Sequence, residues 1–325
     1  MALMEGIRRG DFVVVGRAGI DFFTHPGVRA EDSESVLIGL GGSAANTAAG
    51  ICKLGGRAAL VTRVSDDVAG AYAVSQLERY GVDATHVRAV GGEYRNSLAF
   101  YESRLEDHRT VIYRNGAADF QMDASDVEAV DWERFSAMLT AGTVFAAEPS
   151  RTAAFRAIEL AREAELPVVF DVDYRPYSWP SAEEAGEVLS RAAAQSDMIV
   201  GNDEEFGFMA GGIEKGLDKA RSLAGEGRTT IYKMGPGGAR TFHAGEEIVT
   251  GIFPVEALKP TGAGDSFMAG LLTALSEGRE MEDAILRGSA CASITVSRPG
   301  CAPALPDRAE LETFLAEHPG PTTGA

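Results

Sequence analysis

The sequence has few cysteines and no long apolar segment. The three cysteines among 325 residues, Cys52, Cys291 and Cys301, show neither a Cys-x-x-Cys nor a zinc-site spacing. This pattern is typical of a reducing compartment, so we expect all three to be packing residues. No apolar run approaches the ~20 residues of a membrane span, and residues 1–10 lack the apolar core of a signal peptide. We therefore expect a cytoplasmic protein.

Positive charge is also scarce. The chain has 30 Lys and Arg residues against 48 Asp and Glu residues, which gives a formal net charge of -18. Such a balance argues against non-specific binding to nucleic acid or to an anionic membrane. An anionic ligand would therefore need a local basic pocket.

What the sequence does contain is regular alternation of strands and helices. We predict strands at 143–146, 167–170, 198–200 and 229–233, separated by helices at 151–164, 182–194 and 216–224. This order implies right-handed βαβ units and a parallel sheet, which defines an α/β fold. No repeat or linker interrupts it, so residues 1–325 are predicted to form a single domain.

Two regions, about 17–40 and 92–118, lack any helix pattern. The second contains two strand-like runs, 97–101 and 110–114, joined by a polar connection at 102–109. We expect both regions to form a small sheet over the main domain that acts as a lid. Its exposed edges can pair with another copy, so we expect a homodimer through the lid.

The stretch Lys259-Pro260-Thr261-Gly262-Ala263-Gly264-Asp265 precedes a predicted helix. A helix N-terminus carries unpaired N–H groups and partial positive charge, and glycines let a ligand approach the backbone, so this is a candidate anion site. Asp265 has two interpretations. It complements the helix dipole, or it is a general base beside a transferring phosphoryl group.

A second glycine-rich helix entry runs from Gly39 to Asn46, with Ser43 as the expected N-cap. Asn46 is an amide on a helix of small residues; it is either a satisfied buried group or a partner for a substrate hydroxyl. Asp21, just beyond the strand at 11–16, is either a turn residue or part of a ligand crevice.

Three polar clusters follow predicted strands and should meet at one edge of the sheet: 171–175, 201–205 and 233–238. Arg175 is suited to pairing with a neighbouring Asp or to holding a substrate carboxylate. Asn202 and Glu205 fit a helix capping box or a water-mediated Mg²⁺ site. Lys233 is a solvated strand end or a phosphate contact.

Together these patterns resemble the ribokinase-like (phosphofructokinase B) family of carbohydrate kinases along nearly the whole chain. The matching motifs are Gly-Gly-x-x-x-Asn (Gly41, Gly42, Asn46), Asn-x-x-Glu (Asn202, Glu205) and Thr-Gly-Ala-Gly-Asp (Thr261–Asp265). The resemblance implies a three-layer α/β/α core with a mostly parallel sheet and a β-sheet lid, and ATP with Mg²⁺ as cosubstrate.

The resemblance also implies roles for the motif residues. Asp265 would be the base, and the N–H groups of Gly262, Ala263 and Gly264 would form the anion hole. The sugar would be bound by Asp21, Gly41, Gly42 and Asn46. The nucleotide would be bound by Asn202, Lys233, Gly235, Gly238, Thr261 and Gly264, with Asn202 and Glu205 positioning the metal through water.

Segments 15–21, 170–176 and 251–261 resemble the 5-dehydro-2-deoxygluconokinase branch of myo-inositol catabolism. A sugar acid needs a cation in so negative a protein, and Arg175 and Arg114, the latter next to Tyr113, offer two. We therefore expect phosphorylation of the primary hydroxyl of 5-dehydro-2-deoxy-D-gluconate to its 6-phosphate. A 2-keto-3-deoxygluconate kinase would need the same cations, so that alternative stays open, as do ribokinase and fructokinase specificities.

Two readings from other classes compete. Residues 39–44 match Gly-x-Gly-x-x-Ala with Asp66 roughly 20 residues on, as in a dinucleotide-dependent oxidoreductase. That function would leave the 262–265 site without a role, and 35–38 is a poor first strand. A catalytically silent sugar sensor is disfavoured because Asp265 and its glycines are intact.

Overall fold

The computed structural model describes residues 2–103, 107, 109–259, 261–318 and 320–321. Part of the predicted 102–109 connection, Pro260 of the glycine-rich stretch and the last four residues of the tail lie outside these residues.

A nine-stranded sheet forms the centre of the described chain. In sheet order its strands are β13 (Glu246–Thr250), β12 (Ala239–His243), β11 (Thr229–Lys233), β10 (Met198–Asn202), β9 (Val168–Asp171), β8 (Ala137–Ala141), β1 (Asp11–Val15), β4 (Arg57–Ser65) and β5 (Val87–Val90). The strands from β11 to β5 are parallel, and β12 and β13 add an antiparallel hairpin at one edge. The carboxyl ends of the parallel strands therefore meet at one rim.

Helices cover both faces of this sheet. They are α1 (Ala2–Ile7), α2 (Ser43–Lys53), α3 (Val68–Arg79), α4 (Ala124–Glu128), α5 (Ser150–Glu163), α6 (Ala182–Ala194), α7 (Asp203–Ala210), α8 (Gly216–Gly225), α9 (Ala263–Ser276), α10 (Met281–Val296) and α11 (Arg308–Glu317). Among the helices of the described chain, none combines the length and apolar character needed to cross a membrane.

Strand β1 shows how the layers form. Its side chains alternate between the two faces, as the strand period requires. Phe12 and Val14 join an apolar cluster with α2, α9 and α10, whereas Val13 and Val15 join a second cluster with α5 and α6. Two buried cores on opposite faces of one sheet confirm the predicted three-layer α/β/α arrangement.

The predicted lid is a separate four-stranded sheet with the order β3 (Leu37–Gly41), β2 (Gly19–Phe23), β6 (Ser97–Tyr101) and β7 (Thr110–Tyr113). The pairs β2–β3 and β6–β7 are antiparallel, and β2 pairs with β6 in parallel. One face, which includes Asp21, Tyr101 and Ile112, points toward the main domain and lines the cavity described below.

The strand predicted at 143–146 is wrong. Residues Gly142–Ala146 form a 3₁₀ helix, and the strand is β8, which ends at Ala141, before the predicted strand begins. Its sequence, Ala-Met-Leu-Thr-Ala, has weak strand propensity, whereas Thr143-Val144-Phe145 has strong propensity that tertiary packing overrides. A side chain at Gly142 would lie 2.0 Å from the Val172 carbonyl oxygen, so the backbone packs closely here.

Candidate active site

A cavity of about 880 Å³ lies at the carboxyl rim of the parallel sheet, beneath the lid. The ends of β9, β10 and β11, the inner lid face and the first turns of α2 and α9 all contribute to its wall. This is the position at which open α/β sheets bind ligands, because loops and helix N-termini converge there.

Helix α9 presents Asp265 to this cavity. Gly262 precedes the helix with φ +83°, a conformation that favours glycine, and the first intrahelical bond runs from the Ser266 N–H to the Gly262 carbonyl. The N–H groups of residues 263–265 therefore belong to the turn that lacks intrahelical partners. The carboxylate and these donors share one turn of helix.

Asn46 of α2 reaches the same point. Its Nδ2 donates to Asp265 Oδ2 at 2.8 Å, while its Oδ1 is buried and has no hydrogen-bond partner among the described residues. A satisfied buried amide would use both ends, so this half-used amide offers an acceptor to a ligand hydroxyl.

Burial raises the pKa of Asp265 to about 6, and repulsion from Asp173 adds to the effect, whereas the hydrogen bond from Asn46 lowers it. At neutral pH the group is ionised, yet it holds a proton more tightly than an ordinary carboxylate. Such a pKa suits a general base working near pH 7.

Asp21 enters the cavity from lid strand β2 and is 2% exposed. Its partner across the strand pair is Gly39, and two residues further along β3, at Gly41, an added side chain would lie 2.1 Å from Asp21 Oδ1. Gly41 thus stands behind the carboxylate and makes room for it. Burial raises the pKa of Asp21 to about 7 against the opposing charge of Arg17.

Asp173 and Arg175 form an ion pair of 2.7 Å at the end of β9. Asp173 also accepts from Thr143 Oγ1 at 3.2 Å and has φ +34°, a strained conformation for an aspartate. Burial alone would raise its pKa, but Arg175 and the hydroxyls of Ser43 and Thr143 outweigh burial and lower it. Arg175 thus makes the expected pair with a neighbouring Asp, and its side chain, 44% exposed, also lines the cavity.

Asn202 and Glu205 form the capping box of α7. The Asn202 side chain accepts from the Glu205 N–H and the Glu205 carboxylate from the Asn202 N–H, both at 2.8 Å. Both residues also line the cavity, so capping and ligand contact coexist here. Burial raises the pKa of Glu205 and of nearby Asp171, and the two carboxylates repel each other.

These carboxylates are the candidate groups for holding a metal ion. The described residues contain no group of three or more His, Cys, Asp or Glu side chains arranged to hold an ion directly. Crowded carboxylate oxygens facing a cavity nevertheless suit a hard cation that keeps several of its waters, as Mg²⁺ does. The donor set fits water-mediated contact.

Lys233 ends β11 beside α9. Its Nζ lies 3.6 Å from the point a side chain at Gly264 would occupy and 5.5 Å from the Phe267 ring centre. A cation thus stands next to the free N–H groups of α9. Beyond it, residues 251–255 and the α10 residues Ala292 and Val296 form an apolar slot.

Most predicted site residues line this single cavity: Asp21, Gly42, Asn46, Arg175, Asn202, Glu205, Lys233, Gly235, Gly238 and Thr261–Asp265. Gly41, Tyr113 and Arg114 do not, and Gly41 lies behind the Asp21 carboxylate. Tyr113 is 60% exposed because Ile112, the preceding residue of β7, takes the inward position. Arg114 is buried outside the cavity, where it donates to Asp119 and, at 2.8 Å, to the Thr143 carbonyl. Ser43 is the first helical residue rather than the N-cap, which is Gly42.

Sequence reasoning missed several cavity residues. Arg17, Tyr101 and Cys301 contribute side chains to the wall, and Asp171 and Asp173 were expected at this edge only as members of the 171–175 cluster, without a role in ligand binding. Arg17 carried a usable signal, since it comes two residues after buried strand β1 and four before Asp21. A charged residue at the carboxyl end of a buried strand points toward the ligand crevice.

A base, a helix N-terminus and a cation around one cavity define an enzyme able to transfer an anionic group to a hydroxyl. The family model of pfkB family carbohydrate kinases matches residues 11–308. The chain therefore belongs to the pfkB family of carbohydrate kinases and is a phosphotransferase.

Individual relatives agree with this family. The 5-dehydro-2-deoxygluconokinase of Photobacterium profundum is 35% identical over 315 residues, which cover 94% of this chain and 94% of that protein. The Geobacillus kaustophilus protein of the same name is 34% identical, over 95% of this chain and 94% of its own length.

Solved structures show the same fold. A fructokinase from Vibrio cholerae, with fructose, ADP and a calcium ion bound, is 25% identical, with a TM-score of 0.82 over 94% of this chain and 99% of its own. An aminoimidazole riboside kinase from Salmonella enterica, complexed with aminoimidazole riboside and an ATP analogue, is 26% identical, with a TM-score of 0.80 over 94% and 99%.

The fold argues against the oxidoreductase alternative. A dinucleotide fingerprint needs its glycines between a strand of the parallel sheet and the following helix. Here the strand before α2 is β3, which belongs to the lid and pairs antiparallel with β2. The match to that fingerprint is therefore a coincidence of spacing.

Proposed function

We propose that this kinase transfers the γ-phosphoryl group of ATP to the primary hydroxyl of 5-dehydro-2-deoxy-D-gluconate, producing the 6-phosphate and ADP. One observation carries the proposal: the Asp265 carboxylate lies in the first turn of α9, hydrogen-bonded to Asn46, between the lid wall and the Lys233 wall of one cavity. The names of the relatives supply the substrate class.

In the proposed reaction Asp265 removes the hydroxyl proton as the hydroxyl oxygen attacks the γ-phosphorus. The new P–O bond forms in line with the breaking bond to the β-phosphate, and ADP leaves with the electron pair. The N–H groups of Gly262, Ala263 and Gly264 and the Lys233 ammonium stabilise charge on the transferring group. Closure of the lid over the cavity would exclude water, which otherwise competes as acceptor.

The nucleotide is proposed to lie along the α9 and β11 side of the cavity. Thr261, Gly264, Lys233, Gly235 and Gly238 would contact the phosphates and ribose, and the apolar slot against α10 suits a flat base. Asn202 and Glu205 would hold Mg²⁺ through water, and the ion would supply positive charge to the phosphates.

The sugar is proposed to lie against the lid. Asp21 and the free Oδ1 of Asn46 accept hydroxyl hydrogen bonds, and Gly41 and Gly42 shape the wall around them. Arg175 offers a cation to an acidic substrate. The sequence-based roles of Tyr113 and Arg114 in sugar binding stay predictions; they would require the lid to move relative to the arrangement described above.

A coupled assay of ADP release over 5-dehydro-2-deoxygluconate, 2-keto-3-deoxygluconate, ribose, fructose and nucleosides tests the proposal. We expect the highest kcat/KM with 5-dehydro-2-deoxygluconate and a product phosphorylated at the primary hydroxyl. Preference for 2-keto-3-deoxygluconate would move the enzyme to the alternative specificity. Turnover of neutral sugars alone would contradict an acid substrate.

We also propose that the enzyme works in the cytoplasm, where ATP is abundant.

We further propose that the protein forms a homodimer through the outer face of the lid sheet. Ile38, Phe22, Phe100 and Val111 are aligned across the four strands on that face, and Ile38 and Val111 are 48% and 45% exposed. An apolar row of this kind favours pairing with a second copy. The molar mass in solution, measured by light scattering, tests the proposed dimer. We expect wild type to have the mass of a dimer and Ile38→Glu that of a monomer. A monomeric wild-type protein would contradict the proposal.

A further inference from the structure

Arg17 is a buried cation that neither the motifs nor the proposed reaction uses. It follows β1 at the carboxyl rim of the sheet, is 8% exposed, and lines the same cavity as Asp21 and Asn46. Its backbone is fixed, because its carbonyl accepts from the Ala45 N–H at 3.2 Å. The side chain thus starts from a rigid position.

The guanidinium of Arg17 has few protein partners. Its NH1 donates to Ser97 Oγ at 3.3 Å, and its Nε is buried without a hydrogen-bond partner in the described chain. No carboxylate of the described residues lies within ion-pair distance of it. A buried guanidinium with an unused donor is costly, so such groups usually find a partner.

Two other arginines near this edge of the sheet already have carboxylate partners. Arg175 pairs with Asp173 at 2.7 Å, and Arg114 donates to Asp119 and to the Thr143 carbonyl at 2.8 Å. Among these three arginines, Arg17 has the largest unused donor capacity. It is also the one that is both buried and in the cavity wall.

Arg17 nevertheless stays charged. Burial alone would lower its pKa, but Asp119, Tyr101, Asp21 and Asp173 outweigh burial and raise it. These groups stabilise the positive charge from a distance without occupying its donors. The result is a fixed cation with free donor capacity beside the sugar-binding wall.

We infer that Arg17 binds the carboxylate of the sugar-acid substrate and sets the preference of this enzyme for acidic over neutral sugars. A planar guanidinium with free N–H groups matches a carboxylate in geometry as well as in charge. This inference rests on the proposed function and deepens it, because it assigns the main contact with the acid to Arg17 rather than to Arg175, which already pairs with Asp173.

The test compares Arg17→Gln with wild type on 5-dehydro-2-deoxygluconate and on fructose. Loss of a charged hydrogen bond is expected to raise KM for the acid by about 100-fold. The KM for ATP and the kcat/KM for fructose should change by less than about threefold. Arg17→Lys keeps the positive charge but loses the planar guanidinium, so its KM for the acid should lie between those of wild type and Arg17→Gln.

Ser97→Ala is the matched control. Ser97 Oγ is the side-chain partner of Arg17, so a purely structural tie between β1 and the lid would make both variants equally defective. We expect Ser97→Ala to keep the wild-type KM for the acid. Equal loss in both variants, or equal loss on acid and fructose in Arg17→Gln, overturns the inference. A wild-type enzyme that turns over no sugar acid overturns the proposed function instead.

Discussion

Two helix entrances, those of α2 and α9, are each led by a glycine with a positive φ, yet they carry different chemistry. Gly42 precedes α2 with φ +95°, and Gly262 precedes α9 with φ +83°. The helices pack closely, since a side chain at Gly50 of α2 would lie 2.6 Å from the Ala269 methyl of α9. Their N-termini therefore open side by side into one cavity.

The difference lies in the first turns. Helix α2 carries an amide, Asn46, whereas α9 carries a carboxylate, Asp265, and the amide donates to the carboxylate at 2.8 Å. Both helix ends attract negative charge through their dipoles. The two side chains have different roles. The Asn46 amide orients the Asp265 carboxylate and keeps its own oxygen free as an acceptor, and the Asp265 carboxylate accepts the proton.

The largest expected effect on catalysis comes from replacing the Asp265 carboxylate with an amide like that of Asn46. Asp265→Asn makes both entrances amides, and we expect kcat to fall by ~10²-fold or more because no group at this position can accept the hydroxyl proton. Steady-state assays with the sugar acid measure it, with circular dichroism to verify folding. Normal turnover by a folded Asp265→Asn protein would mean that another group is the base.

Alanine substitution at Gly42 and at Gly262 compares how tightly the backbone is packed at the two helix entrances. Both changes strain a positive φ, but a side chain at Gly42 would lie 2.5 Å from the Arg17 carbonyl oxygen, against 3.4 Å from Cys301 Sγ at Gly262. We expect Gly262→Ala to destabilise by about 1 kcal/mol and Gly42→Ala by about 2 kcal/mol or more. Urea unfolding gives both values; the reverse order would show that the two entrances are not packed as described.

A smaller effect concerns stability. Asp265 has a raised folded-state pKa of about 6, so its ionised form is disfavoured in the fold and its contribution to stability falls as pH rises through that value. Because the group is partly exposed to the cavity, we expect Asp265→Asn to stabilise the protein by about 1 kcal/mol at pH 8. Near pH 4 the difference should vanish. Thermal unfolding at the two pH values measures it, and destabilisation at pH 8 would contradict the account.

The sequence predicted elements whose pattern is local. Helix α6 and strand β11 have the predicted bounds, and the start of α9 follows from its glycines. The antiparallel hairpin of β12 and β13 was missed, because its short strands resemble the loops around them. Packing, not local propensity, decided that Ala137–Ala141 is a strand and Thr143–Ala146 is not.

The site was harder to predict where orientation matters. Motifs located Asp265, Asn46 and Asp21, since spacing alone brings them to the rim. Spacing does not tell which residue of β7 faces inward, and so Tyr113 was assigned where Ile112 lies. Nor does it tell which arginine is left without a partner: Asp119 and the Thr143 carbonyl occupy Arg114, whereas the Nε of Arg17 has no hydrogen-bond partner in the described chain.

The pH dependence of kcat/KM in wild type and in Asn46→Ala tests the central claim most directly, because Asn46 acts on Asp265 through a single hydrogen bond. In wild type we predict activity to fall as pH drops through about 6, where Asp265 becomes protonated. Asn46→Ala removes a bond that lowers this pKa, so the fall in activity should move to higher pH. A profile that stays in place in Asn46→Ala would contradict Asp265 as the proton acceptor.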